Sequence, residues 1–270
     1  MIKALKLTAH RPSVTQKMIC CAGLLLIAFS CPITAQDDPK LPVKADTTKP
    51  NQLTIVTPPF PGLFNENGRG YYDNLFKTIG QKIGYSISVQ ILPARRVIRQ
   101  FNKDKSHCLF PSNLIPPSEY HIKSSPFNYA KSYLVSTKSA PPPIDRLIRA
   151  NDHPYNISLR AGLDYGRLKK LEKANFFKVE TETQNIRMLL AGRADFAAVY
   201  FPDIMLEAPH FLSVLKYDKT APLTVIPEEI ICWRDSATSQ ILPKINHHID
   251  VMKKNQAIQK ILGAAYLTKD

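Results

Sequence analysis

A chain of 270 residues with 36 Lys and Arg against 22 Asp and Glu carries a formal charge of +14, and it is long enough for one large buried core or two smaller ones. The basic excess suits anionic ligands or an anionic surface. No zinc-ligand spacing and no basic run interleaved with aromatics occurs, so neither a metal centre nor a nucleic-acid interface is expected.

Residues 1–35 read as an export leader. Lys3, Lys6, Arg11 and Lys17 form a positive region without an acid, and residues 18–30 form an apolar stretch, shorter than the ~20 residues a bilayer span needs. Cleavage is expected after Ala35, leaving Gln36 first. Ala28, Phe29 and Ser30 make a poor lipidation signal before Cys31, so a periplasmic protein without a lipid anchor is expected. The mature chain keeps 32 of the 36 basic residues and all 22 acids, a charge of +10. Residues 36–52, rich in Lys, Asp, Thr and Pro, read as a mobile tether.

Order begins with a strand at residues 53–57, ended by Pro58-Pro59-Phe60-Pro61. Turn residues 65–70 precede a helix over 71–83, with Leu75, Phe76, Ile79 and Ile83 at helical spacing and Gly84 as its stop. A strand at 86–91, a helix at 94–102 and a strand at 108–112 complete a β-α-β-α-β run, the pattern of a parallel sheet covered by helices. Farther on, residues 156–160 read as a strand and 161–166 as a turn into a helix near Arg167. Residues 185–190 form a short amphipathic helix, Gly192 stops it, and 196–200 read as a buried strand with Tyr200 and Pro202 exposed at its end. In α/β sheets that carboxyl end is where ligands sit.

Of five cysteines, Cys20, Cys21 and Cys31 lie in the leader. Cys108 and Cys232 are far apart in apolar, strand-like contexts. Two buried free thiols are expected, with a bridge between neighbouring strands as the alternative.

The order of motifs resembles the family 3 extracellular solute-binding proteins over residues 53–266. The opening strand, Pro-aromatic loop and the run from Tyr71 to Tyr85, then Leu92-Pro93-Ala94-Arg95-Arg96, Ser124-Ser125-Pro126-Phe127, the Leu-x-x-Gly-Arg-x-Asp-type unit around Gly192-Arg193 and Asp195, and the terminal helices with Asn246, Met252 and Ile261 all carry it. The resemblance implies an α/β, two-lobed periplasmic-binding-protein fold (type II) with two crossover hinge strands. Lobe one would comprise 53–137 and 228–270, and lobe two 138–227. Residues 133–137 would cross out and 229–234 return, placing Trp233 at the hinge.

In amino-acid-binding members, an arginine before the "FSxP" motif grips the ligand carboxylate and an aspartate after the glycine unit takes its ammonium. This chain has Pro117 and Tyr200 at those positions, so common α-amino acids are not expected to bind tightly. The cleft is expected to be lined by Phe60, Arg95, Ser112, Asn113, Arg160, Asp164 and Tyr200. Phe60 would stack on a ligand or belong to the core; Ser112 and Asn113 would offer neutral hydrogen bonds or simply turn the chain. Arg95 opposes the dipole of its helix, which hints at a role, and Asp164 caps a helix start or marks an anion site. Two arginines among these groups suggest an anionic or polar aromatic ligand.

The expected function is capture of a small molecule by lobe closure for an inner-membrane ABC permease, by a monomer without cofactor or catalytic residues. Presentation to a membrane sensor is the alternative, and a dehydratase-like enzyme on the same scaffold a further one. Chemistry of that kind wants a poised carboxylate or histidine, and His107, His121, His153, His210, His247 and His248 read as solvated.

Overall fold

The computed structural model describes residues 51–150 and 153–270. The expected leader, its cleavage point and residues 36–50 of the tether lie outside them, while Gln52 already pairs in the first strand. Among the described residues no helix is long and apolar enough to cross a membrane.

The chain runs β1 (Gln52–Thr57), α1 (Tyr71–Ile83), β2 (Ser86–Ile91), α2 (Ala94–Lys103), β3 (His107–Leu109) and β4 (His121–Lys123). It continues through β5 (Asn128–Val135), α3 (Ile144–Ala150), β6 (Asn156–Arg160), β7 (Asn175–Val179), α4 (Glu182–Leu190), β8 (Phe196–Phe201), α5 (Asp203–Glu207) and β9 (Thr224–Glu228). It returns through β10 (Ile231–Trp233), α6 (Ser236–Lys254) and α7 (Ala257–Leu262). Two five-stranded sheets result, ordered β2-β1-β3-β10-β4 and β7-β6-β8-β5-β9. This is the two-lobed α/β architecture.

Local chemistry explains the first helix. Gly70 is extended, and Asp73 Oδ2 accepts from the Gly70 and Asn65 amides at 2.8 and 2.9 Å, answering donors that a helix start leaves open. Tyr72, Leu75, Phe76 and Ile79 are all buried and pack with Leu53 and Ile55 of β1 and Ile241, Ile245 and Ile249 of α6. Val97 and Phe101 of α2 cover the other face over Val56, Leu109 and Ile231. At α6, Asp235 accepts from the Thr238 amide at 2.7 Å, and the Thr238 hydroxyl answers the Asp235 amide. Asp235→Ala is expected to cost about 1 kcal/mol, read as a fall of roughly 2–4 °C in the melting temperature.

The outward crossing comes earlier than the sequence suggested. Residues 124–127 leave the first sheet, and residues 133–135 belong to the second, where β5 pairs β8 and β9 along its length. Tyr133 and Val135 pack on one face of that sheet and Leu134 on the other. A segment apolar on both faces is stabilised by helices on both sides, which a bare linker would not supply. The return crosses at residues 229–230, so 231–233 are already strand in lobe one. Trp233 therefore sits inside lobe one, stacked on Phe101 at 5.4 Å with its indole N–H on the Phe101 carbonyl at 2.8 Å, and not at the hinge.

Cys108 and Cys232 are disulfide-bonded, which corrects the expectation of free thiols. They face each other directly in the antiparallel β3–β10 pair with Cα atoms 4.2 Å apart. That is the close, non-hydrogen-bonded spacing of such a ladder, and it brings both sulfurs into the gap between strands. Two of the histidines differ from expectation: His107 is buried beside Asp104 at 3.0 Å, and His121 packs edge-on to Trp233 at 4.5 Å, while His153, His210 and His247 are exposed.

Candidate functional site

Parallel strands β1 and β3 end at Thr57 and Leu109, and β6 and β8 at Arg160 and Phe201. The pairing Lys131↔Phe201 and Asn128↔Glu228 puts both crossing segments at the carboxyl edge of the second sheet. The two edges that favour ligands therefore meet at the hinge. The lobes also touch there: Gly62, in the left-handed region at φ +80°, lies so near Leu206 that an added Cβ would come within 3.1 Å of it.

The hinge is tied by a buried polar network. The Tyr72 hydroxyl donates to the Glu228 carboxylate. Asn128 Nδ2 donates to Glu228 at 2.8 Å and to the Ala265 carbonyl at 2.9 Å, and its oxygen accepts from the Leu267 amide at 2.8 Å. Burial, with the Asp203 charge nearby, pushes the Glu228 carboxyl up to about 7. The next residue of the return crossing, Glu229, accepts from Ser112 at 2.8 Å and from Lys123 at 2.7 Å.

The second lobe's wall holds one guanidinium among three carboxyls. Arg160 Nη1 lies 3.0 Å from Asp203 and 3.3 Å from Glu207, and the Glu182 amide donates to Glu207 at 3.4 Å. Asp203 and Glu207 share one face of α5 by their four-residue spacing. Glu182 is fully buried. One of its oxygens accepts from Asn185 at 3.1 Å, while the other has no partner among the described residues. Burial, reinforced by the charges of Asp203 and Glu207, pushes Glu182 up to about 8. Burial likewise raises Asp203 to about 6, against the pull of Arg160. Removing ions from water disfavours their charged forms, so this wall has more acid than its one arginine neutralises.

The residues expected to line the cleft have separate fates. Arg160 reaches the edge but is engaged by the two acids. Ser112 is buried and committed to Glu229. Tyr200, expected to be exposed, is buried against Tyr165 at 5.2 Å, with its hydroxyl on the Asp164 carbonyl. Asp164 is exposed, and its carboxylate accepts from the Gly166 amide at 3.0 Å, the turn-capping alternative. Phe60 is half-buried at the β1 end and packs edge-on to Phe110 at 5.7 Å. Arg95 and Asn113 are exposed, as is Pro117 in the loop after β3. Sequence reasoning missed Glu182, Asp203, Glu207, Asn128 and Glu228. Asp203 and Glu207 had a signal, an acid two residues after a strand end and a second one helical turn later.

No family model matches the chain, and no curated protein does. Solved structures do resemble it. The GluR0 ligand-binding core from Nostoc punctiforme in complex with L-glutamate superposes with a TM-score of 0.59 at 16% identity, covering 79% of this chain and 99% of that one. An ancestral cationic amino acid solute-binding protein, AncCDT-1, gives 0.60 at 16% identity over 80% of this chain and 96% of its own. A mutant of ArgBP from T. maritima gives 0.55 at 16% identity over 80% and 95%. What this chain shares with them is the two-lobed fold, with two sheets joined at the hinge edge.

Proposed function

We propose that this protein captures a small molecule bearing a cationic group between its lobes and delivers it to a membrane permease, with presentation to a membrane sensor as the alternative. The observation that carries this reading is the lobe-two wall, where Asp203 and Glu207 share a single Arg160. A ligand ammonium or guanidinium would take the place that a second protein cation leaves open. The anionic or aromatic ligand suggested by sequence rested on Arg95 and Arg160, and the engagement of Arg160 argues against it. An ammonium partner that the sequence seemed to lack is available in Asp203. A carboxylate partner is not, since Pro117 stands in an exposed loop. Cationic amines without a carboxylate therefore fit better than zwitterions. Binding is favoured over catalysis because Glu182, the carboxyl best suited to hold a proton at neutral pH, is closed off from solvent and substrate.

The test is a melting-temperature panel of agmatine, putrescine and L-arginine. A ligand at ~100 times its dissociation constant stabilises the fold by ~2.7 kcal/mol, roughly 5–10 °C for a chain of this size. At least one amine is expected to give that shift, and Asp203→Asn to abolish it. No shift with any amine, or a shift that survives Asp203→Asn, would overturn the reading.

A further inference from the structure

Residues 265–270, which follow α7, leave lobe one and lie on lobe two. Ala265 is buried in the lobe-one core and Tyr266 packs against it. Leu267, the next residue, packs instead against the lobe-two cluster of Tyr133, Val199 and Phe201. The opposite exchange occurs at α5, where Leu206 of lobe two packs against the lobe-one cluster beside Gly62. Each lobe thus places one half-buried leucine on the core of the other.

Polar bonds fix the same segment. Asn128, the buried first residue of β5, donates to the Ala265 carbonyl and accepts from the Leu267 amide, so it grips the chain on both sides of Tyr266. Lys131 donates to the Asp270 main-chain oxygen at 2.8 Å. It stands three residues farther along β5, ~10 Å beyond Asn128 at the usual strand rise. That offset matters mechanically. The two covalent crossings run side by side, with Asn128 opposite Glu228, and such a pair leaves one lobe free to rotate on the other. An attachment well away from that axis opposes the rotation.

We propose that residues 265–270 and Leu206 form a clasp that holds the two lobes in one arrangement before any ligand arrives, and that lobe motion requires its release. Moving the lobes apart would bring Leu206 and Leu267 into water, which is unfavourable for apolar surface. It would also leave the buried Asn128 amide without its partners, the costly way to break a hydrogen bond. Clasp and acid wall move as one body, because the five-residue α5 carries Leu206 between Asp203 and Glu207. A lobe pair already set in place spares a ligand the work of ordering it. The clasp does not depend on which ligand the cleft takes.

Pulsed electron–electron double resonance between nitroxides at Lys82→Cys and Arg193→Cys tests this on the ligand-free mature protein. Both positions are exposed and lie at the amino-terminal edges of their sheets, away from the hinge. The intact chain is expected to give one narrow distance distribution. Leu206→Ala, which touches none of the Asn128 bonds, should broaden it and speed exchange of the Leu267 amide at least tenfold, as local opening does. Removal of residues 267–270 should broaden the distribution further. Leu190→Ala, at an exposed leucine elsewhere on lobe two, should change neither quantity. Circular dichroism checks that each variant is folded, and if the shortened chain is not, Leu206→Ala decides alone. A broad distribution in the intact chain, no response to Leu206→Ala, or an equal response to Leu190→Ala would overturn the proposal.

Discussion

Reduction of the Cys108–Cys232 bond is expected to lower the melting temperature of the mature protein by roughly 10–15 °C. The bond closes a loop with a sequence separation of 124 residues. Cross-linking a loop that long removes conformational freedom from the unfolded chain worth about 4–5 kcal/mol on the chain-entropy account, and a chain of this size moves roughly 2–4 °C per kcal/mol. Both cysteines are fully buried in the lobe-one core, so reduction follows unfolding, and the comparison is between scans with and without dithiothreitol. Cys108→Ala with Cys232→Ala should reproduce the reduced curve. Two labelled thiols in denatured, unreduced protein, together with identical melting curves, would refute the pairing.

The second large effect concerns pH. Glu182, Glu228 and Asp203 are pushed up to about 8, 7 and 6 in the folded protein, whereas in the unfolded chain they return to ordinary values near 4. Between those limits the folded state holds protons that the unfolded state has lost. Stability therefore falls as pH rises across that window. The contribution is fully present below about pH 4 and is lost progressively as pH passes through 6, 7 and 8. From pH 6 to 8 the three groups together lose about 4 kcal/mol, or roughly 8–16 °C. Glu182→Gln supplies the neutral form permanently, so it should flatten the slope above pH 7 and raise the melting temperature at pH 8. A melting temperature that is level or rising from pH 6 to 8 would contradict the assignment. A bound cation should flatten the same slope by favouring the ionised carboxyls, which links this measurement to the cleft reading.

Much of the fold was legible in residues close together along the chain. Tyr72, Leu75, Phe76 and Ile79 announce α1 because one face of a helix repeats every three to four residues. Gly84 and Gly192, at φ +72° and +66°, end helices where a side chain would be strained. The alternation of such helices with short apolar strands implies parallel sheets covered by helices. These are local rules, and the elements obey them within about three residues: β3 ends at Leu109 and not at 112, and α4 begins at Glu182 and not at 185.

The site was less legible because its chemistry depends on pairs that no local rule connects. Arg160 meets Asp203 across 43 positions, and only the adjacency of β6 and β8 turns an available cation into an engaged one. Tyr200 was placed at the cleft by its position after a glycine unit. In a strand the side-chain direction follows from which face the sheet covers, and both faces of β8 are covered. The disulfide depended on register: one residue of slip between β3 and β10 would have turned Cys232 to the opposite face from Cys108. The identity of elements such as β1, α1, β2, α2, β6 and β8 thus came from the sequence by itself, through the steric periodicity of the backbone, whereas β4, β7, β9, α3 and α5 were not read from it. Which charges are neutralised, which cysteines join and where the chain changes lobes were decided only by tertiary packing, because proximity between distant residues sets the local dielectric and the available partners.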